Sequence, residues 1–252
     1  TRIRGSTDGI NPDYLYISAG ASIDARGEVD SPIIFSSNDD IDLNVAGGGK
    51  WGGIIIEDTV AFNAENRLEY VVIAEGGAAV TINSKTYNSN LTLDGDHDNT
   101  VLRYVQSHDA RGDGVRLQGS NGTQNTARMD WLLITGAGRD ALSYQDFSGL
   151  VKDVLAINRV GQYNPVELSG GRAGVYAAGA ASQPLLTNLT LVGNDDESIA
   201  NPSAAQREMG IIFADDTSIN GEDLLIRLAN SAIVNFRHGC YELESDADLS
   251  AV

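Results

Sequence analysis

One strand motif returns along this chain and limits what it can fold into more than any other feature. It reads Leu68-Glu-Tyr-Val-Val-Ile73, Leu102-Arg-Tyr-Val-Gln-Ser107, Met129-Asp-Trp-Leu-Leu-Ile134, Val151-Lys-Asp-Val-Leu-Ala156, Leu186-Thr-Asn-Leu-Thr-Leu191 and Gly221-Glu-Asp-Leu-Leu-Ile226. The fourth residues are Val71, Val105, Leu132, Val154, Leu189 and Leu224, in steps of 34, 27, 22, 35 and 35. The sixth residues are Ile73, Ser107, Ile134, Ala156, Leu191 and Ile226. Side chains alternate along a strand, so these two positions share a face. That face is apolar except at Ser107, which predicts a buried column. Similar strands at such spacing mark a solenoid.

A second strand class follows the first: Val115-Arg-Leu117, Leu142-Ser-Tyr144, Val175-Tyr-Ala177, Ile211-Ile-Phe213 and Ile233-Val-Asn235. It starts 10 residues after positions 105 and 132 and 9 after 224, but 21 and 22 after 154 and 189. The short offset predicts one tight corner between two sheets. The longer offsets predict loops inserted there, over residues 161–174 and 193–210. An α/β fold would need amphipathic helices between the strands, and only residues 203–209 offer even two turns. Upstream, residues 14–23 and 31–35 read as strands with a turn at Arg26-Gly27. Trp51-Gly-Gly-Ile-Ile-Ile56 reads as a buried strand whose glycines let backbones approach, and residues 36–50 as a loop. The expected fold is therefore all-β: a right-handed single-stranded parallel β-helix spanning residues 1–252 as one domain. Six to eight coils at about 4.8 Å each make a rod roughly 30 to 40 Å long.

Composition agrees and narrows function. The 28 glycines suit short strands and tight turns better than long helices. Seventeen basic against 35 acidic residues give a net charge of -18, which repels nucleic acid. Such acidity suits a solvated surface in a salty medium, or one that collects divalent cations. No apolar run is long enough for a membrane helix. The chain opens at Thr1, without methionine, and enters a strand-like pattern at once. This predicts a processed piece of a longer exported precursor, with any export signal upstream. The single cysteine, Cys240, has no internal disulfide partner and reads as a buried thiol. The sharper alternative is a bond to a cysteine outside this chain.

The string Ala25-Arg-Gly-Glu-Val-Asp-Ser-Pro-Ile-Ile-Phe-Ser-Ser37, then Lys50-Trp-Gly-Gly-Ile-Ile-Ile56, resembles bacterial secreted or cell-surface right-handed β-helix repeat proteins, often described as lipoproteins. The resemblance continues through Asn90-Leu-Thr-Leu93, residues 100–109, Gly112-Asp-Gly-Val115, residues 132–140 and residues 230–240. It implies export and a β-helix, and no particular reaction. Where the family pattern has a glycine-rich turn, this chain has Asp94-Gly-Asp-His-Asp98.

That departure is the first candidate site. Asp94, Asp96 and Asp98 put three carboxylates in one turn, the ligand type that Ca²⁺ takes. It is not an EF-hand, because Asn99 and Val105 stand at its sixth and twelfth positions. The plainer reading is a solvated acidic turn, and it holds more strongly for Asp39, Asp40 and Asp42, for Asp195, Asp196 and Glu197, and for Asp215 and Asp216.

The second candidate is a polysaccharide-lyase site. β-Elimination from a uronate needs a base and a cation to neutralise the carboxylate, and His108, Arg111, Arg116, Lys152 and Arg159 offer those groups. Arg103 and Lys152 occupy equivalent outward positions, which predicts a basic stripe. Glu69, Asp130 and Glu222 at the same position favour a mixed, solvated face instead. Polygalacturonase-like Asn-Thr-Asp and Arg-Ile-Lys motifs are missing, and His238-Gly239 alone is too short to count. Arg111-Gly112-Asp113 spells an adhesion tripeptide, but turn geometry explains it. Trp51 and Trp131 read as packing or corner residues. Of Tyr14, Tyr16, Tyr70, Tyr104 and Tyr144, some should face outward, where stacked rings either bind glycan or stabilise the sheet.

Two functions follow. The first is a non-catalytic extracellular or cell-surface β-helix with structural, assembly or adhesive contacts to copies of itself, other surface proteins or glycans, with Ca²⁺ as the one ion expected. The second is a polysaccharide-binding or lyase-type polysaccharide-cleaving β-helix, using Lys152, His108, Arg103 and Arg111.

Overall fold

The computed structural model describes residues 1–7, 11–38, 48–58, 65–119, 125–158, 172–178, 182, 184–194, 208–213 and 227–243. It is a parallel β-helix. Among the described residues there is no helix, so none long and apolar enough to cross a membrane. A ten-stranded sheet stacks Arg2–Gly5, Ile33–Ser37, Asn66–Ala74, Thr100–His108, Arg128–Thr135, Leu150–Ile157, Leu185–Val192 and Arg227–Ala229 in that order. An eight-stranded sheet stacks Leu15–Ile17, Ile54–Asp58, Leu91–Gly95, Val115–Gln118, Leu142–Gln145, Arg172–Ala178, Glu208–Phe213 and Gly239–Leu243. Eight strands at about 4.8 Å make a stack roughly 34 Å tall.

Each long strand of the larger sheet bends once. Tyr70, Tyr104, Trp131, Asp153 and Asn188 all have positive φ, between 50° and 62°. The residues on either side pair in register with the next coil, as Arg103↔Asp130 and Val105↔Leu132 do around Tyr104 and Trp131. The bend breaks strict alternation, so Leu68, Val71 and Ile73 all point inward and are buried. Each coil thus has three faces: the two halves of the bent strand and the strand of the smaller sheet. One coil earlier the corner is opened into a loop, so Asp24–Arg26 and Ile33–Ser37 pair with the two halves of Asn66–Ala74 separately.

The expected interior column is present. Val71, Val105, Leu132, Val154 and Leu189 pair in register and are buried. Ser107, the polar exception, has a structural reason. Its hydroxyl donates to Gly114 O at 2.9 Å and accepts from Asn90 Nδ2 at 3.0 Å. Asn90 also donates to Ile73 O and His108 O and accepts from Gly76 N, so one buried amide ties successive coils together. At Gly53 (φ 93°) a Cβ would collide with the Ser89 carbonyl, which accounts for the expected glycine corner beside Trp51.

Four expectations are corrected. The sixth motif copy is misplaced: Leu224 lies outside the described residues, and Arg227–Ala229 and Ala232–Val234 continue the ten-stranded sheet. Ile233 therefore pairs with Leu191, and Gly239–Leu243 completes the smaller sheet through Ile211↔Tyr241. Leu-Leu-Ile and Ala-Ile-Val offer the same alternation, so apolar spacing alone picked the wrong run. Cys240 is exposed, because it sits on an edge strand with a neighbour on one side only. Residues 14–23 form a strand only over Leu15–Ile17. Arg172–Ala178 and Glu208–Phe213 are strands, so the second inserted loop ends before Gly210 and Met209 is not helical.

Candidate functional site: an aromatic-lined trough

The corner column carries the most distinctive surface. Tyr70 stacks on Tyr104 with ring centroids 4.5 Å apart and planes within 11°. Tyr104 stacks on Trp131 at 6.0 Å and 17°. The rings therefore follow one another along the corner column from coil to coil. Asp153 and Asn188 continue the column, joined by a 2.8 Å bond from Asn188 Nδ2 to Asp153 Oδ1. Both suit a left-handed backbone, whereas large aromatic residues rarely adopt one.

Beside the column, the outward residues of the adjoining face form the floor of an open trough of about 530 Å³. Val72, Gln106, Leu133 and Leu155 line it, each on its own coil. The loop carrying Glu28, Val29 and Pro32 closes one end, and Asp153 and Asn188 stand at the other. Val29 is 76% exposed, Trp131 50% and Leu155 37%, an apolar strip left open to solvent. Among the described residues no Lys, Arg or His side chain lines the trough.

Among the described residues the lyase candidates do not line the trough, though Lys152, Arg103 and His108 each touch a residue that does. Arg103 and Lys152 share a column on the other side of the corner, which reads Arg26, Glu69, Arg103, Asp130, Lys152 and Thr187. Charge alternates along it, so the expected basic stripe is interleaved with carboxylates. Lys152 Nζ lies 3.9 Å from Asp130 and 3.7 Å from Asp153. The Arg103 guanidinium lies 5.5 Å from the Tyr104 ring centroid. His108 sits past the corner at the far end of the same strand, where Nδ1 bonds Thr135 Oγ1 at 2.6 Å and Nε2 bonds Gln106 Oε1 at 3.1 Å. Arg111 lies on the following turn, where its side chain packs beside Gly49. Arg159 is outside the described residues.

Of the three aspartates expected to hold Ca²⁺, Asp96 and Asp98 lie within hydrogen-bonding reach of each other, while Asp94 is held by other donors. Asp94 is buried and accepts from Lys85 Nζ at 2.9 Å and Tyr87 OH at 2.6 Å. Those donors belong to the hairpin Val80–Ile82 and Lys85–Tyr87, which folds over Ile55 on the outside of the smaller sheet. Burial, and then hydrogen bonding to Asp98, raise the Asp96 carboxyl above its ordinary range. Asp98 is exposed and accepts from the Thr126 hydroxyl. Among the described residues no group of three His, Cys, Asp or Glu side chains is arranged to hold a metal. The looser acidic clusters lie outside the described residues.

In the same region Tyr16 donates to Glu57, and burial together with that carboxylate pushes its hydroxyl up to about 12. His97 is buried and held down to about 4 by desolvation. Asp113 of the Arg-Gly-Asp triplet is buried under the Arg139 fork, at 2.6 and 2.5 Å, so it is not displayed for adhesion. Trp51 packs inside and donates to Ala74 O at 2.7 Å, as expected of a packing residue, while Tyr144 is wholly buried.

Sequence reasoning named the tyrosines and Trp131 but missed the trough, because it treated the motif as one straight strand. The available signal was the third motif position, where Tyr, Tyr and Trp share a column with Asp and Asn. Asp and Asn mark left-handed corners.

No family model matches the sequence, and no curated protein matches it. A solved structure, the periplasmic alginate epimerase AlgG, is similar at 12% identity over 88% of this chain and 47% of that one, with a TM-score of 0.31. The chain spans about half the length of that structure.

Proposed function

We propose that this protein is a non-catalytic, surface-associated β-helix that adheres to polysaccharide through the corner trough. The observation that carries this reading is the Tyr70–Tyr104–Trp131 ladder walling an open apolar trough. Amphipathic sugar rings present C–H faces to aromatic and aliphatic walls and hydroxyls to amides such as Gln106 and Asn188. The alternating column at Arg103, Asp130 and Lys152 favours binding over β-elimination, since each cation already faces carboxylates of neighbouring coils. An adhesive role fits an extracellular or cell-surface location.

Electrophoresis through gels containing glucomannan, xylan, hydroxyethylcellulose, pectate or alginate tests it. At least one polysaccharide should retard the protein, without new reducing ends or unsaturated products. Leu133→Arg, on the trough floor, should abolish the retardation. Equal retardation of that variant, or turnover lost in Lys152→Ala or His108→Ala, would overturn the reading.

A further inference from the structure

The aromatic ladder ends with one face open. Tyr70 lines the trough together with Glu28, Val29 and Pro32, and Tyr104 lies between two rings. Trp131 has Tyr104 on one side only. On the other, the next corner residue is Asp153, which is shorter and is drawn aside by Asn188 at 2.8 Å and Lys152 at 3.7 Å. Trp131 is accordingly 50% exposed. A vacant rung remains, bounded by the indole, the Leu133 and Leu155 side chains, and the Asp153–Asn188 pair.

Resting on the glycan-binding reading above, we infer that a sugar ring of an uncharged glycan fills this fourth rung, stacked on the open face of Trp131. Its C–H bonds meet the electron-rich indole face, and its hydroxyls reach the Asn188 amide and the Asp153 carboxylate. The sugar class follows from charge. A polyanion meets a chain of net charge -18 and a trough with carboxylates at Glu28 and Asp153 and, among the described residues, no lining cation. A polycation finds Asp153 already engaged by Lys152 and Asn188.

The chain has two tryptophans, and they differ in the way a test needs: Trp51 is 3% exposed and Trp131 50%. Acrylamide quenching of the intact protein reports Trp131. Cellohexaose, xylohexaose and mannohexaose serve as neutral probes, with chitosan hexamer and oligogalacturonate as the charged ones. At least one neutral probe should protect the quenchable fraction, and neither charged probe should do so at equal concentration. Trp131→Ala should weaken binding of that probe at least about tenfold, the effect of one lost stacking contact of roughly 1.4 kcal/mol. Asn188→Ala should weaken it less, and Trp131→Phe should restore most of it. Tyr241→Ala, which removes an exposed ring of the smaller sheet that does not line the trough, should leave it unchanged. Binding of a neutral probe without protection, or with Trp131→Ala unaffected, would overturn this inference while leaving the trough reading standing. Preference for a charged probe would also overturn it. Failure of every probe and of the gel panel would remove both.

Discussion

Trp131 stacks on Tyr104 with both residues in left-handed backbone, at φ 62° and 54°. That conformation costs an L-residue roughly 1 to 2 kcal/mol, and stacking returns about 0.5 to 1.5 kcal/mol. With two residues bearing that cost for one stack, the ladder is a poor device for stability alone. Trp131→Asn should shift the folding free energy by less than about 1 kcal/mol, because Asn fits the corner while the stack is lost. Urea unfolding measures this. A loss of several kcal/mol would make the indole a folding element.

The interior column predicts a larger cost. Leu132 is buried between Val105 and Val154 on the flanking coils. Leu132→Ala should destabilise by about 2 to 5 kcal/mol, since stacked coils cannot collapse into the cavity. A denaturation midpoint close to that of the parent would contradict the packing.

Asp113 is fully buried and holds a two-pronged bond with Arg139, supported by Arg116 at 3.5 Å and the Asp140 amide at 3.3 Å. Arg139→Ala should cost about 3 to 5 kcal/mol by stranding a buried carboxylate. The double variant with Asp113→Ala should lose less than the sum of the single losses. Additive losses would mean the pair is not coupled.

His97 sets a pH dependence. Its folded value of about 4 lies below its ordinary 6.5, so the folded state binds this proton less well than the unfolded chain. The stability it contributes is complete above 6.5 and is lost as pH falls through about 4, by roughly 3 kcal/mol. Asp96 acts oppositely: its raised value favours the folded state at low pH, and that contribution fades as pH rises through the folded value. Melting curves of the parent and of His97→Gln should therefore diverge between pH 6.5 and 4, with the variant flatter. Parallel curves would contradict the burial of His97.

Much of the architecture was legible because the repeat is carried by apolar alternation. Val71, Val105, Leu132, Val154 and Leu189 could be aligned from sequence, and they stack in that register. The bend at Tyr70 and its equivalents was hidden, because a single left-handed residue leaves no apolar signature. Missing the bend also hid the trough, which lies between the corner residues and the outward residues that follow them. The turn at Asp94, Asp96 and Asp98 suggested one cluster, but only Asp96 and Asp98 meet, while Asp94 is taken up by other partners. Lys85 and Tyr87, which hold Asp94, come from a hairpin that the sequence reading did not identify.

A crystal structure with a bound neutral hexasaccharide tests the central claim most directly. A sugar ring should stack on Trp131 beside Asp153 and Asn188, with no bond cleaved. A hexasaccharide seated on the outer face of the smaller sheet, or a cleaved product beside Lys152 and Arg103, would contradict it.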